Sequence, residues 1–378
     1  MNDTTGRRST GGWREGDPVG GRRWISLDKP LELESGRLLP GVRLAYQTWG
    51  ELAPRRDNAV LVLHALTGDS HVTGPSGPGH PSPGWWEGLV GPGLALDTDR
   101  FFVVAPNVLG GCQGSTGPSS PAEDGRAWGS RFPRITIRDT VRAEEALADA
   151  LGVEAWAAVV GGSMGGMRAL EWALTFPDRV ERALVLACPA ATSAWQIAWA
   201  APQLHAIRAD PHWLGGDYHG TGRIPAEGLG VARRIAHVTY RGTGEFDSRF
   251  GRSPQAGEDP DRGGRFAVES YLDHQAAKLA RRFDPASYVV LTEAMNTHDV
   301  GRGRGGIERA LKEMPERTLV AGVDSDHLYP MAQQDEIARH LPVPDRARVI
   351  STPHGHDGFL VAVDQVAELV RELLGDAP

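Results

Sequence analysis

The sequence predicts an α/β fold, a mostly parallel central sheet carrying a helical cap as an insertion. Three observations predict it. Short apolar runs recur at 58–63, 101–105, 157–160, 183–187 and 318–323, the pattern of strands covered on both faces. Helical periodicity separates strands at βαβ spacing, for instance over 137–151 and 164–176. From 189 to 306 the strand rhythm stops and helix-like pieces replace it, before strands resume. The implied division is a flexible tail over 1–23, a core over 24–188 and 307–378, and a cap over 189–306.

Composition narrows the function. The chain has 378 residues, 40% apolar and 23% charged, with a formal net charge of −8. That length accommodates one large α/β domain with an insertion. An acidic chain carries no electrostatic footprint for nucleic acid, and no apolar run approaches the ~20 residues of a membrane span. Lysine occurs only at Lys29, Lys278 and Lys312, each in a polar or helix-surface setting, which argues against Schiff-base chemistry. Two cysteines, Cys112 and Cys188, make no disulfide scaffold and fit a reducing cytoplasm. Arg7-Arg8 is followed by no apolar stretch, so an export signal is not expected.

In chain order, residues 31–49 read as a hairpin turning at Ser35-Gly36. The run 58–63 leads into His64-Ala65-Leu66-Thr67-Gly68. Residues 68–93 form a long Gly- and Pro-rich loop around Trp85-Trp86, and such loops are functional or disordered. Small residues over 110–118 suggest backbone brought close to a ligand, and Cys112 among them reads as a buried thiol. The helix over 137–151 has Asp139 and Thr140 at its start as possible caps. In the insertion, helical pieces span 195–208, 228–240, 267–283 and 287–294, and the polar stretch 251–264 reads as a mobile loop. Residues 301–306 match G-x-G-x-x-G, but no strand precedes them, so a basic turn is expected in which Arg302 and Arg304 could meet phosphate. A helix over 333–340, a strand over 348–350 and a closing helix over 363–374 complete the chain.

The chemistry centres on Gly161-Gly162-Ser163-Met164-Gly165, a G-x-S-x-G between strand and helix. In that context the serine occupies a sharp turn with its hydroxyl exposed, at a helix N-terminus whose free N–H groups can hold an oxyanion. Flanking glycines supply φ freedom and close approach. A serine nucleophile needs a base, and the base needs a carboxylate. In the α/β-hydrolase fold the acid and then the histidine follow on loops after the last strands. Asp324 and Asp326 both qualify as acid, and His354 and His356 as base. His-x-His without a third ligand gives no metal site.

At this level of detail the chain resembles the homoserine O-acyltransferase family of the α/β-hydrolase superfamily. The resembling segments are His64–Gly68, Gly110–Pro118, Gly161–Met167, Arg233–Tyr240, Asp299–Arg304, Asp324–Pro330 and Gly355–Leu360, seven motifs in order. The resemblance implies Ser163 as nucleophile, Asp326 as acid, His356 as base, and Leu66 and Met164 as oxyanion N–H donors. It implies Arg233 for the substrate carboxylate, Tyr240 as an active-site tyrosine and Asp357 for the substrate ammonium, although Arg233 and Tyr240 could instead be structural and Asp357 a cap. The implied reaction, a step toward methionine, is ping-pong acetyl transfer from acetyl-CoA to L-homoserine by a homodimer, with no resident cofactor. Succinyl-CoA as donor or serine as acceptor are variants within the family. A cap-domain esterase, or a catalytically silent binding scaffold, are the readings from other classes.

Overall fold

The computed structural model describes residues 11–375. Eight strands form one sheet: β1 (Arg23–Ser26), β2 (Arg43–Trp49), β3 (Ala59–Leu63), β4 (Phe102–Pro106), β5 (Ala158–Gly162), β6 (Arg182–Leu186), β7 (Arg317–Val323) and β8 (Arg348–Ile350). Their spatial order is β1-β2-β4-β3-β5-β6-β7-β8. β2 runs antiparallel to both β1 and β4, and every other pairing is parallel. Two short two-stranded ribbons, around 31–39 and 90–97, stand outside the sheet.

β3 and β5 are buried at every residue, which is why they read as unbroken apolar runs rather than alternating ones. The strand period still sorts the side chains of β3, β5 and β6. Leu61, Leu63, Val159 and Val185 face a core that includes α1 (Ile137–Leu151) and α2 (Met164–Thr175). Val60, Val62, Val160 and Leu184 face the other, with Trp86 and Phe359. The N-cap of α1 is Thr136, and of the expected caps Asp139 takes part from the first turn while Thr140 does not. Thr136 and Asp139 exchange side-chain and backbone hydrogen bonds as a capping box.

The hairpin expected over 31–49 turns at Ser35-Gly36 as expected but is shorter, and residues 42–46 are not its second strand. Leu31–Glu32 pairs with Leu38–Leu39, and β2 instead joins the sheet, because its residues are apolar enough to be buried between β1 and β4. The expected tail over 1–23 lies partly outside the described residues. Parts of the remainder are anchored: Trp13 N–H donates to the Cys112 carbonyl at 2.8 Å, and Arg22 is buried with its guanidinium on Gln113, while residues 18–21 are exposed.

After β6 no described segment joins the sheet until β7. The chain runs through α3 (Ala194–Ala209), α4 (Ala226–Tyr240), α5 (Thr243–Phe250), α6 (Ala267–Ala280), α7 (Pro285–Asn296) and α8 (Ile307–Leu311). It leaves and returns at one place, where Ala191 bridges Asp299. The stretch expected to be a mobile loop, 251–264, closes on itself, with Gln255 N–H donating to the Arg265 carbonyl at 2.9 Å. α9 (Met331–His340), α10 (Gly358–Val361) and α11 (Val363–Leu374) finish the fold. No helix of the described residues is long and apolar enough to cross a membrane.

Candidate active site

Four loops leave the carboxyl ends of β3, β5, β7 and β8, and they converge. β5 turns directly into α2 through Ser163, which takes φ 57° and ψ −123°. The strain sits on the serine itself, not on its glycines, none of which has positive φ. That corrects the expectation of φ freedom. Those glycines are required for close approach: a Cβ on Gly165 would collide with the Leu63 carbonyl, and one on Gly162 with the Phe359 ring. Ser163 N–H donates to the Leu186 carbonyl at 2.9 Å, which locks the turn onto β6.

The Ser163 hydroxyl lies 2.8 Å from His356 Nε2, and His356 Nδ1 lies 2.7 Å from Asp326 Oδ2. All three side chains are buried. Asp326 Oδ1 accepts the N–H groups of Leu328 at 2.8 Å and Tyr329 at 2.9 Å, so the carboxylate cannot rotate away from the imidazole. Rings of Tyr329, Phe359 and Tyr240 surround His356 at 4.9, 5.4 and 5.8 Å. Asp324 and His354 serve elsewhere. Asp324 accepts from the Ser351 hydroxyl at 2.7 Å, and His354 Nδ1 lies 3.3 Å from Glu245.

Above the serine is a cavity of about 190 Å³ lined by Leu66, Trp85, Arg233, Tyr240, Arg282 and Asp357, among others. Met164 N–H opens α2, and neither it nor Leu66 N–H has a protein acceptor among the described residues. Arg233 and Tyr240 sit two turns apart on α4, the guanidinium 5.5 Å from the phenol ring centre. Arg233 Nε is buried without a hydrogen-bond partner, and no carboxylate lies within ion-pair distance of this side chain among the described residues. Burial pushes the Tyr240 phenol up from its ordinary value. Asp357 already has a cation, Arg241, at 3.7 Å. Burial pushes its carboxyl up, with Arg241 and then Arg233 opposing.

Other sequence signals resolve into packing. The small residues of 110–118 approach protein backbone: a Cβ on Gly117 would strike the Gly111 carbonyl. Cys112 is a buried thiol whose sulfur accepts the Asp284 N–H at 3.3 Å, and burial drives its pKa up. Arg304 is paired with Glu171 at 2.8 Å and Arg302 with Glu34 at 3.0 Å, so neither is a spare cation for phosphate. Sequence reasoning missed Arg282, which reads as the polar end of a helix over 267–283. α6 stops at Ala280, and the turn that follows sends Arg282 inward. A larger groove of about 640 Å³, beside Phe132, Trp213, Glu293 and Arg302, holds none of the expected triad, oxyanion or substrate-binding residues.

A serine, an imidazole and a carboxylate in hydrogen-bonded line can perform acyl transfer through a serine ester. The comparisons fit this geometry. Residues 58–363 match the alpha/beta hydrolase fold family. The chain is 72% identical over 367 residues to the homoserine O-acetyltransferase of Thermobifida fusca (strain YX), covering 97% of each. The crystal structure of homoserine O-acetyltransferase from Bacillus anthracis superposes with a TM-score of 0.85 at 26% identity, over 93% of this chain and 97% of that one. That of esterase E22 superposes at 0.84, also at 26% identity, over 93% and 99%. The chain belongs to the homoserine O-acetyltransferase family, acyltransferases built on the alpha/beta hydrolase fold.

Proposed function

We propose that the protein transfers an acetyl group from acetyl-CoA to the hydroxyl of L-homoserine by a ping-pong mechanism. His356 Nε2 takes the Ser163 proton as Oγ attacks the thioester carbonyl, and Asp326 steadies the imidazolium that forms. The Leu66 and Met164 N–H groups receive the oxyanion. Collapse breaks the C–S bond, and His356 returns the proton to the departing CoA sulfur. Homoserine's hydroxyl then gives its proton to His356 and attacks the acyl-enzyme. The second collapse releases O-acetyl-L-homoserine and hands the proton back to Ser163.

The observation that supports this reading over hydrolysis is Arg233, a cation in the cavity whose Nε is buried without a hydrogen-bond partner and which has no carboxylate within ion-pair distance among the described residues. A planar guanidinium suits a carboxylate, and Asp357 offers the opposite charge for an ammonium once it is shared with Arg241. Gripping both ends of an amino acid positions its hydroxyl against the acyl-enzyme, the advantage a dilute alcohol needs over water. In this reading residues 189–306 form the cap, with Arg233 and Tyr240 as its contribution. Trp195, Ile197, Val231 and Val238, exposed on α3 and α4, together with the family resemblance, support a homodimer formed through that cap.

A second reading, ester hydrolysis, draws on the equal structural likeness to an esterase. Mixing the protein with acetyl-CoA, with and without homoserine, and following free thiol decides between them. Homoserine-dependent thiol release with O-acetylhomoserine as product supports transfer, and release indifferent to homoserine supports hydrolysis. The same assay with succinyl-CoA or with serine tests the two variants.

A further inference from the structure

The loop after β3 is held by its carbonyls. Arg168 on α2 donates to the His64 carbonyl at 3.3 Å, and is itself paired with buried Glu144. His64 Nδ1 lies 2.8 Å from the Ala65 carbonyl, while its Nε2 accepts the Val108 N–H at 3.1 Å, which assigns the proton to Nδ1. Gly68 N–H closes the turn onto the same Ala65 carbonyl. The last tie comes from across the cavity: Arg282 donates to the Thr67 carbonyl at 2.6 Å. With these oxygens engaged, Leu66 N–H has no protein acceptor among the described residues.

Arg282 is an expensive way to hold a carbonyl. Its guanidinium is desolvated, and no carboxylate lies within ion-pair distance among the described residues, Asp69 acting only from farther away. Its backbone is fixed on two sides. Gln113 donates to the Arg282 carbonyl at 2.6 Å, and Gly11 packs so closely on residues 281–282 that a Cβ there would overlap their backbone. The Arg282 tie reaches the Leu66 N–H through Gly68: the Gly68 N–H shares a peptide plane with the Thr67 carbonyl and donates to the Ala65 carbonyl, whose own peptide plane carries the Leu66 N–H.

We propose that Arg282 is a positioning residue: it aims the Leu66 N–H at the developing oxyanion by gripping the Thr67 carbonyl, and so couples the segment after α6 to the chemistry at Ser163. The inference rests on the acyl-enzyme mechanism proposed above. Deleting an oxyanion donor outright costs about 10²–10³ in rate, so misaiming one costs on the order of ten- to hundredfold.

The test is the acylation rate of Arg282→Met and Arg282→Lys with two donors, acetyl-CoA and p-nitrophenyl acetate, which lacks the CoA moiety. The expected result is a similar ten- to hundredfold loss on both donors in Arg282→Met, partial recovery in Arg282→Lys, and a homoserine KM within about twofold of the parent. Loss confined to acetyl-CoA would make Arg282 a CoA ligand and overturn the proposal. So would unchanged acylation, or a raised homoserine KM with acylation intact. If Arg282→Met does not fold, Arg282→Lys decides by the same comparison of donors. Failure of the parent protein to form an acetyl-enzyme at Ser163 would instead remove the mechanism beneath the proposal, an outcome distinct from acylation that ignores residue 282.

Discussion

Arg233→Ala separates acceptor binding from donor chemistry. This guanidinium lies 5.5 Å from the Tyr240 ring centre, its Nε is buried without a partner, and it has no carboxylate within ion-pair distance among the described residues, so its removal breaks no close ion pair. A cation–π contact of that kind contributes about 0.5–2 kcal/mol, and the fold should tolerate its loss. With homoserine bound the balance changes, because truncating one side of a desolvated charge pair costs roughly 2–5 kcal/mol. At about 1.4 kcal/mol per tenfold, the lower half of that range is a rise of roughly 30- to 300-fold in homoserine KM. The lower half applies because, on the proposed reading, Asp357 would still hold the ammonium end. In the proposed ping-pong order, acylation by acetyl-CoA precedes acceptor binding and should proceed within about threefold of the parent rate, since no step of it uses the carboxylate grip. Stopped-flow release of CoA without homoserine measures the first half-reaction, and steady-state turnover against homoserine measures the second. An acylation rate that falls in step with kcat/KM for homoserine would place Arg233 on the donor and refute the assignment.

Ser163→Ala should show no acetyl adduct by intact mass after mixing with acetyl-CoA, and an adduct on the variant would identify another nucleophile. Gly165→Ala should destabilise the fold by about 1–3 kcal/mol, read from urea midpoints, because the new methyl meets the Leu63 carbonyl and backbone cannot step aside. Stability should also fall in acid. Burial pushes His64 down to about 3 and His298 down to about 4 from an ordinary 6.5, so below pH 6.5 the unfolded chain takes protons that the folded chain refuses. Each of the two contributes a loss of about 2 kcal/mol between pH 8 and pH 5, and a flat stability profile over that range would contradict neutral burial.

The sheet was legible because strands covered on both faces write unbroken apolar runs, and 348–350 and 363–374 coincide with β8 and α11. Ser163 was legible from its strand-and-helix flanks. The choice of Asp326 over Asp324 was not, since both follow β7 within three residues. Spatial facts separate them: Asp324 accepts from Ser351, and Asp326 from the N–H groups that turn it toward His356. Arg282 was invisible for a different reason. In a chain with so many arginines, one more at a helix end carries no signal until the helix is seen to stop at Ala280. The glycines of 161–166 misled in detail, because sequence cannot tell a glycine needed for φ from one needed for clearance.

A serine–histidine–aspartate line on this fold is compatible with hydrolysis and with transfer alike, and likeness of backbone does not separate them. Both reactions make the same serine ester, so the distinction must lie in what the cavity offers the second nucleophile. Water needs no cation, and a hydrolase gains nothing from keeping a guanidinium half-buried beside the acyl-enzyme without an anion. An amino acid supplies that anion. On the proposed reading Arg233 is unfavourable in the free protein and is compensated when a carboxylate binds. The same reasoning assigns different work to the two arginines of the cavity. Arg282 is already engaged with a carbonyl of the loop that shapes the oxyanion site, while Arg233 is left for a ligand. If both were acceptor ligands, exchanging either for methionine would raise the homoserine KM. The geometry expects that of Arg233 alone.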